Sequence, residues 1–174
     1  MIARPRRSVL LLLTGLAALV TGSALGAGAR PDAPRPARLI AVGDVADCAT
    51  KEDDKVAALV ATLPGTLAIL GDIAYENGTQ AEFDECFRPA WGRFLPRTKA
   101  ALGNHEYGSG SADAAIRLFG LTRDGWYAYR LGAWKVIVLN SNCTEIGGCQ
   151  KGSRQWTWLR DTLRQSPRTA CTLA

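Results

Sequence analysis

Three short apolar runs in this chain end alike, on a glycine followed by side chains that can bind a cation. Leu39-Ile40-Ala41-Val42 closes on Gly43-Asp44, residues 66–70 close on Gly71-Asp72, and residues 99–102 close on Gly103-Asn104-His105-Glu106. Runs this short, stopped by turn residues, read as buried strands. Between the first two, Val56, Leu59, Val60 and Leu63 recur at helical spacing, and Thr50 with Asp53 predicts a capping box where that helix starts. The segment is therefore β-α-β. Such a crossover lays both strands parallel in one sheet, so Asp44 and Asp72 emerge together at its carboxyl edge, where open α/β sheets bind ligands.

The same reading extends downstream. Spacing predicts a helix over 112–119, strands over 126–131 and 134–139 joined by a hairpin turn at Gly132-Ala133, and a helix over 155–165. That last helix presents Trp156, Leu159 and Leu163 on one face, and Pro167 ends it. The Leu, Val and Ala at these spacings are assigned to the core, and Asp47 to a turn. Residues 169–174 begin another apolar run, and the sequence stops inside it. We read the domain as incomplete.

The formal charge is +5 over 174 residues, yet Arg4, Arg6 and Arg7 precede any acidic residue. Without them 18 basic residues face 16 acidic ones, a net +2. That excess gives no footprint for nucleic acid. Positive residues 1–7, apolar residues 9–20 and small residues 21–29 have the layout of a secretory signal peptide, with Ala27-Gly28-Ala29 as cleavage site and Ala24-Leu25-Gly26 as the alternative. The apolar core is too short for a transmembrane anchor. Arg6-Arg7-Ser8-Val9-Leu10 also fits a twin-arginine leader, so the export route stays open between that and the general one. Residues 30–37, with three prolines, read as an extended linker, and the folded domain is expected over 38–174.

An exported chain can hold disulfides. Cys143 and Cys149 flank a glycine-bearing loop and are the preferred pair, followed by Cys48 with Cys86. Cys171 is left over in an apolar run and reads as a buried thiol. Without CxxC spacing there is no zinc ribbon.

Gly43-Asp44, Gly71-Asp72-Ile73-Ala74-Tyr75 and Gly103-Asn104-His105-Glu106, in that order, resemble the motifs of the calcineurin-like metallophosphoesterases. The GDxxY form resembles the purple acid phosphatases in particular. The resemblance implies a β-sandwich flanked by helices, within the α/β class, with a two-metal site at its carboxyl edge. Asp44 and Tyr75 would then bind the first metal, Asp72 both, and Asn104 the second. His105 would be the catalytic acid and Glu106 would orient its loop. Two metals activate a hydroxide for in-line attack on phosphorus. The activity implied is hydrolysis of small phosphorylated molecules, as a phosphomonoesterase in the cell envelope or outside the cell. The alternatives are a phosphodiesterase and a non-catalytic domain.

Two departures matter. Most metallophosphoesterases begin Asp-x-His and purple acid phosphatases Asp-x-Gly, whereas Asp44-Val45-Ala46 has Ala there. A phenolate from Tyr75 can stand in for that imidazole, and a hard anionic oxygen suits ferric iron, so iron is expected at the first site and zinc, manganese or iron at the second. The alternative is a core Tyr75 whose hydroxyl caps the turn. The second departure is the missing histidines of the family's later VxxH and GHxH motifs, since His105 is the single histidine. On that ground the chain alone is expected to be weak or inactive, and its oligomeric state is left open.

Overall fold

The computed structural model describes residues 36–166 and 171–174. The expected signal peptide (1–29), linker residues 30–35 and Pro167 lie outside the described residues. In chain order the elements are β1 (Leu39–Val42), β2 (Ala46–Asp47), α1 (Glu52–Thr62), β3 (Thr66–Ile69), β4 (Ala74–Tyr75), α2 (Gln80–Glu82), α3 (Arg88–Trp91), β5 (Thr98–Ala100), α4 (Asp113–Phe119), β6 (Tyr127–Leu131), β7 (Trp134–Val138), α5 (Arg154–Arg164) and β8 (Cys171–Leu173).

The three glycine-closed runs form one parallel sheet, ordered β1-β3-β5, with Ala41 opposite Ala68 and Ile69 opposite Ala100. Just past its carboxyl edge β2 and β4 pair in parallel, Ala46 against Ala74 and Asp47 against Tyr75. The chain thus turns at Gly43-Asp44 and again at Gly71-Asp72 in step. A second sheet joins β6 and β7 as an antiparallel hairpin, with β8 parallel to β7. The fold is α/β, as expected from the alternation of runs.

Between β4 and β5 the chain is helical from Gln80 to Arg97. Thr79 opens α2 with a capping box, its hydroxyl taking the Glu82 N–H while Glu82 reaches back to the Thr79 N–H. A π-helical turn over Phe83–Phe87 leads into α3, where Pro89 falls in the first turn, the place a missing N–H costs least. This stretch buries Phe83, Phe87 and Trp91 almost completely beside Leu67, Ile69 and Ile73. Phe83, Phe87 and Phe119 meet edge to face, with centroids 5.7 to 6.5 Å apart.

Four expectations need correction. The capping box predicted at Thr50 and Asp53 does not form: α1 starts after Lys51 without a side-chain cap, and the Asp53 carboxylate accepts the Trp91 indole N–H at 3.3 Å. On α1 only Ala57 and Val60 are buried, while Val56 and Leu59 are exposed, because a small residue, Ala57, brings the helix flush against the core. On α5 the buried side chain is Gln155, not the Trp156–Leu159–Leu163 face, and Leu163 is exposed. Cys171 is exposed, in a short strand whose residues are all exposed. Asp47 closes β2 and opens the turn that follows, its carboxylate accepting the Ala49 N–H at 2.8 Å. Both cysteine pairs, Cys48–Cys86 and Cys143–Cys149, are bonded, each with Cα atoms 5.2 Å apart. Among the described residues no helix is long and apolar enough to cross a membrane.

Candidate metal-binding edge

Asp44 and Asp72 are, among the described residues, the non-glycine residues with positive φ, at 52° and 50°. Left-handed backbone at a non-glycine residue costs roughly 1 kcal/mol or more and persists where surrounding contacts hold it. Both lie one residue past a strand-closing glycine, on neighbouring strands. The Tyr75 hydroxyl, from β4, donates a short hydrogen bond to an Asp44 carboxylate oxygen. The His105 backbone N–H donates to the Asp72 carboxylate at 3.2 Å. The His105 ring lies against the Tyr75 ring, centroids 4.3 Å apart, and its Nδ1 is 2.6 Å from the Glu76 carbonyl oxygen.

Glu106 organises this edge from beneath. It is fully buried, and its carboxylate accepts from Ile73 N–H and Gly103 N–H at 2.7 Å each and from Asp72 N–H at 3.1 Å. Burial pushes its carboxyl above the ordinary value, while the Ile73, Gly103 and Ala74 amides pull it back. One side chain thus ties the turn after β3 to the turn after β5. Their contact is close enough that only glycine fits. A Cβ on Gly103 would overlap the Asp72 carboxylate, and one on Gly71 would stand 2.9 Å from the Gly103 backbone.

Burial, the bond to Asp44 and the nearby Asp72 charge push the Tyr75 phenol well above its ordinary range. A phenol in this acid-lined corner keeps its proton; only a strong positive charge between the carboxylates would invert that preference. The donors Asp44, Asp72 and Tyr75 are hard oxygens and fit a hard cation. Asn104 is exposed at the start of the turn His105–Tyr107. With Asp72 it offers a second cation only two ligands, and among the described residues no three His, Cys, Asp or Glu side chains gather as a metal cluster. A cleft of about 480 Å³ opens beside Asp44 and Tyr75, lined also by Asp47, Asp53, Glu76 and Trp91, with no basic residue in its wall.

Other contributors had no signal in the motifs. Gly103 is needed for packing as well as for its turn. The Asn140 side chain, fully buried past β7, donates to the Tyr107 hydroxyl at 2.8 Å, and Asn142 donates to the Leu102 carbonyl at 3.2 Å. The Thr79-x-x-Glu82 pattern, in contrast, was readable as a capping box.

No family model matches the chain, and no curated protein matches it in sequence. Among solved structures it is similar to a purple acid phosphatase isolated from yellow lupin (Lupinus luteus) seeds, with a TM-score of 0.54 at 16% identity. The likeness is one of fold. It covers 76% of this chain but spans only 28% of the lupin chain.

Proposed function

We propose that this chain carries part of the site of an exported, metal-dependent phosphatase acting on phosphate monoesters of small molecules. The reading rests on one observation above others: two left-handed aspartates at adjacent strand ends, one bonded to a phenol and the other to the His105 turn. The fold likeness to a phosphatase supports it at a coarse level. The two disulfides fit an oxidising compartment.

In this reading Asp44 and Tyr75 hold a first cation, Asp72 is shared, and Asn104 serves a second; iron suits the first position and zinc, manganese or iron the second. Such cations supply Lewis acidity toward phosphoryl oxygens and acidify water. Glu106 keeps Asp72 and the Gly103 turn in fixed relation, so the carboxylate needs no rearrangement. His105 acts on the leaving oxygen. A carbonyl only accepts, so Nδ1 carries the proton shared with Glu76, and Nε2 can deliver a proton only when the ring is doubly protonated.

A second reading, a non-catalytic domain of the same fold, is favoured by the scarcity of ligands, with one histidine in the chain and no three-ligand cluster among the described residues. Hydrolysis of p-nitrophenyl phosphate, compared with bis(p-nitrophenyl) phosphate, separates the possibilities. The proposal expects at most weak turnover of the monoester by this chain alone, with Asp72→Asn abolishing it and lowering metal content. Preference for the diester would make the protein a phosphodiesterase. Failure both to bind metal and to turn over the monoester would favour the non-catalytic domain.

A further inference from the structure

We propose that Asn140 and Asn142, at the end of β7, are positioning residues for the turn over residues 102–107, and so for Asn104 and His105. Asn140 is held from behind: Gln155, in the first turn of α5, accepts its N–H at 2.7 Å and donates to its carbonyl at 2.9 Å. Its side chain faces the turn. Nδ2 donates to the Tyr107 hydroxyl at 2.8 Å and to the Asp124 carbonyl at 3.2 Å, and Oδ1 accepts from the Asn142 backbone and side chain, each at 3.0 Å. Asn142 then donates to the Leu102 carbonyl, one residue before Gly103. The two asparagines therefore grip the turn at both ends, Leu102 and Tyr107, while within it the Glu106 carboxylate accepts from the Gly103 N–H.

Every polar atom of the buried Asn140 amide is used, which is the condition for a polar network to rigidify its surroundings rather than weaken them. Space is reserved for it as well. Gly125, at φ +75°, would bring a Cβ within 2.8 Å of Asn140 Nδ2 and 2.9 Å of Leu102. The side chains of the two asparagines hydrogen-bond to Leu102, Tyr107, Asp124 and each other, and the Asn140 backbone to Gln155, so their effect on Asn104 and His105 passes through the backbone of the turn. Small displacements of such supporting groups typically cost 10- to 100-fold in metal affinity or rate. The kinetic consequence rests on the phosphatase reading; the mechanical one does not.

Native-state hydrogen exchange tests the mechanical part in Asn142→Ala and in Asn142→Asp, which keeps the shape and loses the donor. In both, exchange at the Gly103 and His105 amides should quicken about tenfold, with Leu67 and Ile69 unchanged. Tyr107→Phe, which deletes one hydroxyl and so retains the fold, should give the same local pattern at about threefold. In protein active toward p-nitrophenyl phosphate, Asn142→Asp should lower kcat about tenfold with KM unchanged. Unchanged exchange at Gly103 and His105, equal acceleration throughout, or an Asn142→Asp variant indistinguishable from wild type would overturn the proposal. If exchange responds locally but no form of the protein hydrolyses phosphate esters, the positioning role stands and the phosphatase reading alone falls.

Discussion

Gly43-Asp44 and Gly71-Asp72 are the same dipeptide at the ends of paired parallel strands, and both aspartates adopt nearly the same left-handed backbone. Their surroundings differ. Gly71, at φ +104°, is pressed against the Gly103 backbone, and Asp72 is held through its amide by Glu106 and through its carboxylate by the His105 N–H. Gly43 has ordinary φ and open space, its nearest neighbour being the Leu70 side chain at 3.8 Å, and Asp44 is exposed with the Tyr75 hydroxyl as its side-chain partner. One half of the edge is thus set by packing, whatever it binds, whereas on the other half the backbone is paired but the Asp44 carboxylate has a single hydrogen bond. In the proposed reading, the rigid half would hold the shared carboxylate, Asp72, and the more adaptable half the ligands Asp44 and Tyr75, where a proton would give way to a cation.

That contrast can be broken by substitution. Gly103→Ala should be the most damaging change, roughly 3 kcal/mol or more of unfolding free energy, because the added methyl overlaps Asp72. Denaturant unfolding measures it; a near-neutral result would remove the tight contact from the account. Glu106→Gln should follow at about 2 to 3 kcal/mol, since an amide NH₂ would confront backbone donors that now meet a carboxylate. Gly43→Ala should change stability by less than about 0.5 kcal/mol, and a loss as large as that of Gly71→Ala would abolish the distinction.

A pH dependence sharpens the picture away from the edge. Burial raises the Glu82 carboxyl, but hydrogen bonds from Thr79, Asn77 and Glu76 outweigh it and leave the group below its ordinary value of 4.5. A depressed folded-state pKa contributes stability that is complete above the unfolded value and lost as pH falls through the folded one. Glu82→Gln should therefore cost about 1 kcal/mol at neutral pH and flatten the loss of stability on the acid side. An acid limb as steep as in the wild type would remove Glu82 as its source.

Much of this edge was legible because it is written locally. Short apolar runs closed by glycine located β1, β3 and β5, and the order of the polar residues behind them brought Asp44, Asp72 and the Asn104–His105 turn to one side. What stayed hidden depends on distance along the chain or on coverage. Periodicity showed that Val56, Leu59, Val60 and Leu63 share spacing; it carries no information on which of them anything covers, and the core takes Ala57 and Val60. Gln155 is polar and sits on the buried side of α5, a placement that makes sense only once the Asn140 backbone is seen beside it. Asn140 lies 33 residues from Tyr107 and Asn142 40 from Leu102, with no spacing rule to connect them. The Tyr75 hydroxyl neither caps its own turn nor sits in the core; it reaches Asp44, across the β2–β4 pairing.

Asp44, Asp72 and Tyr75 are proposed to share one cation, and loading with ferric iron followed by visible absorption tests this. A tyrosinate bound to ferric iron absorbs in the visible, so the wild type should become coloured and Tyr75→Phe should bind iron without the colour. Colourless wild type with ferric iron bound, or colour that survives in Tyr75→Phe, would contradict it.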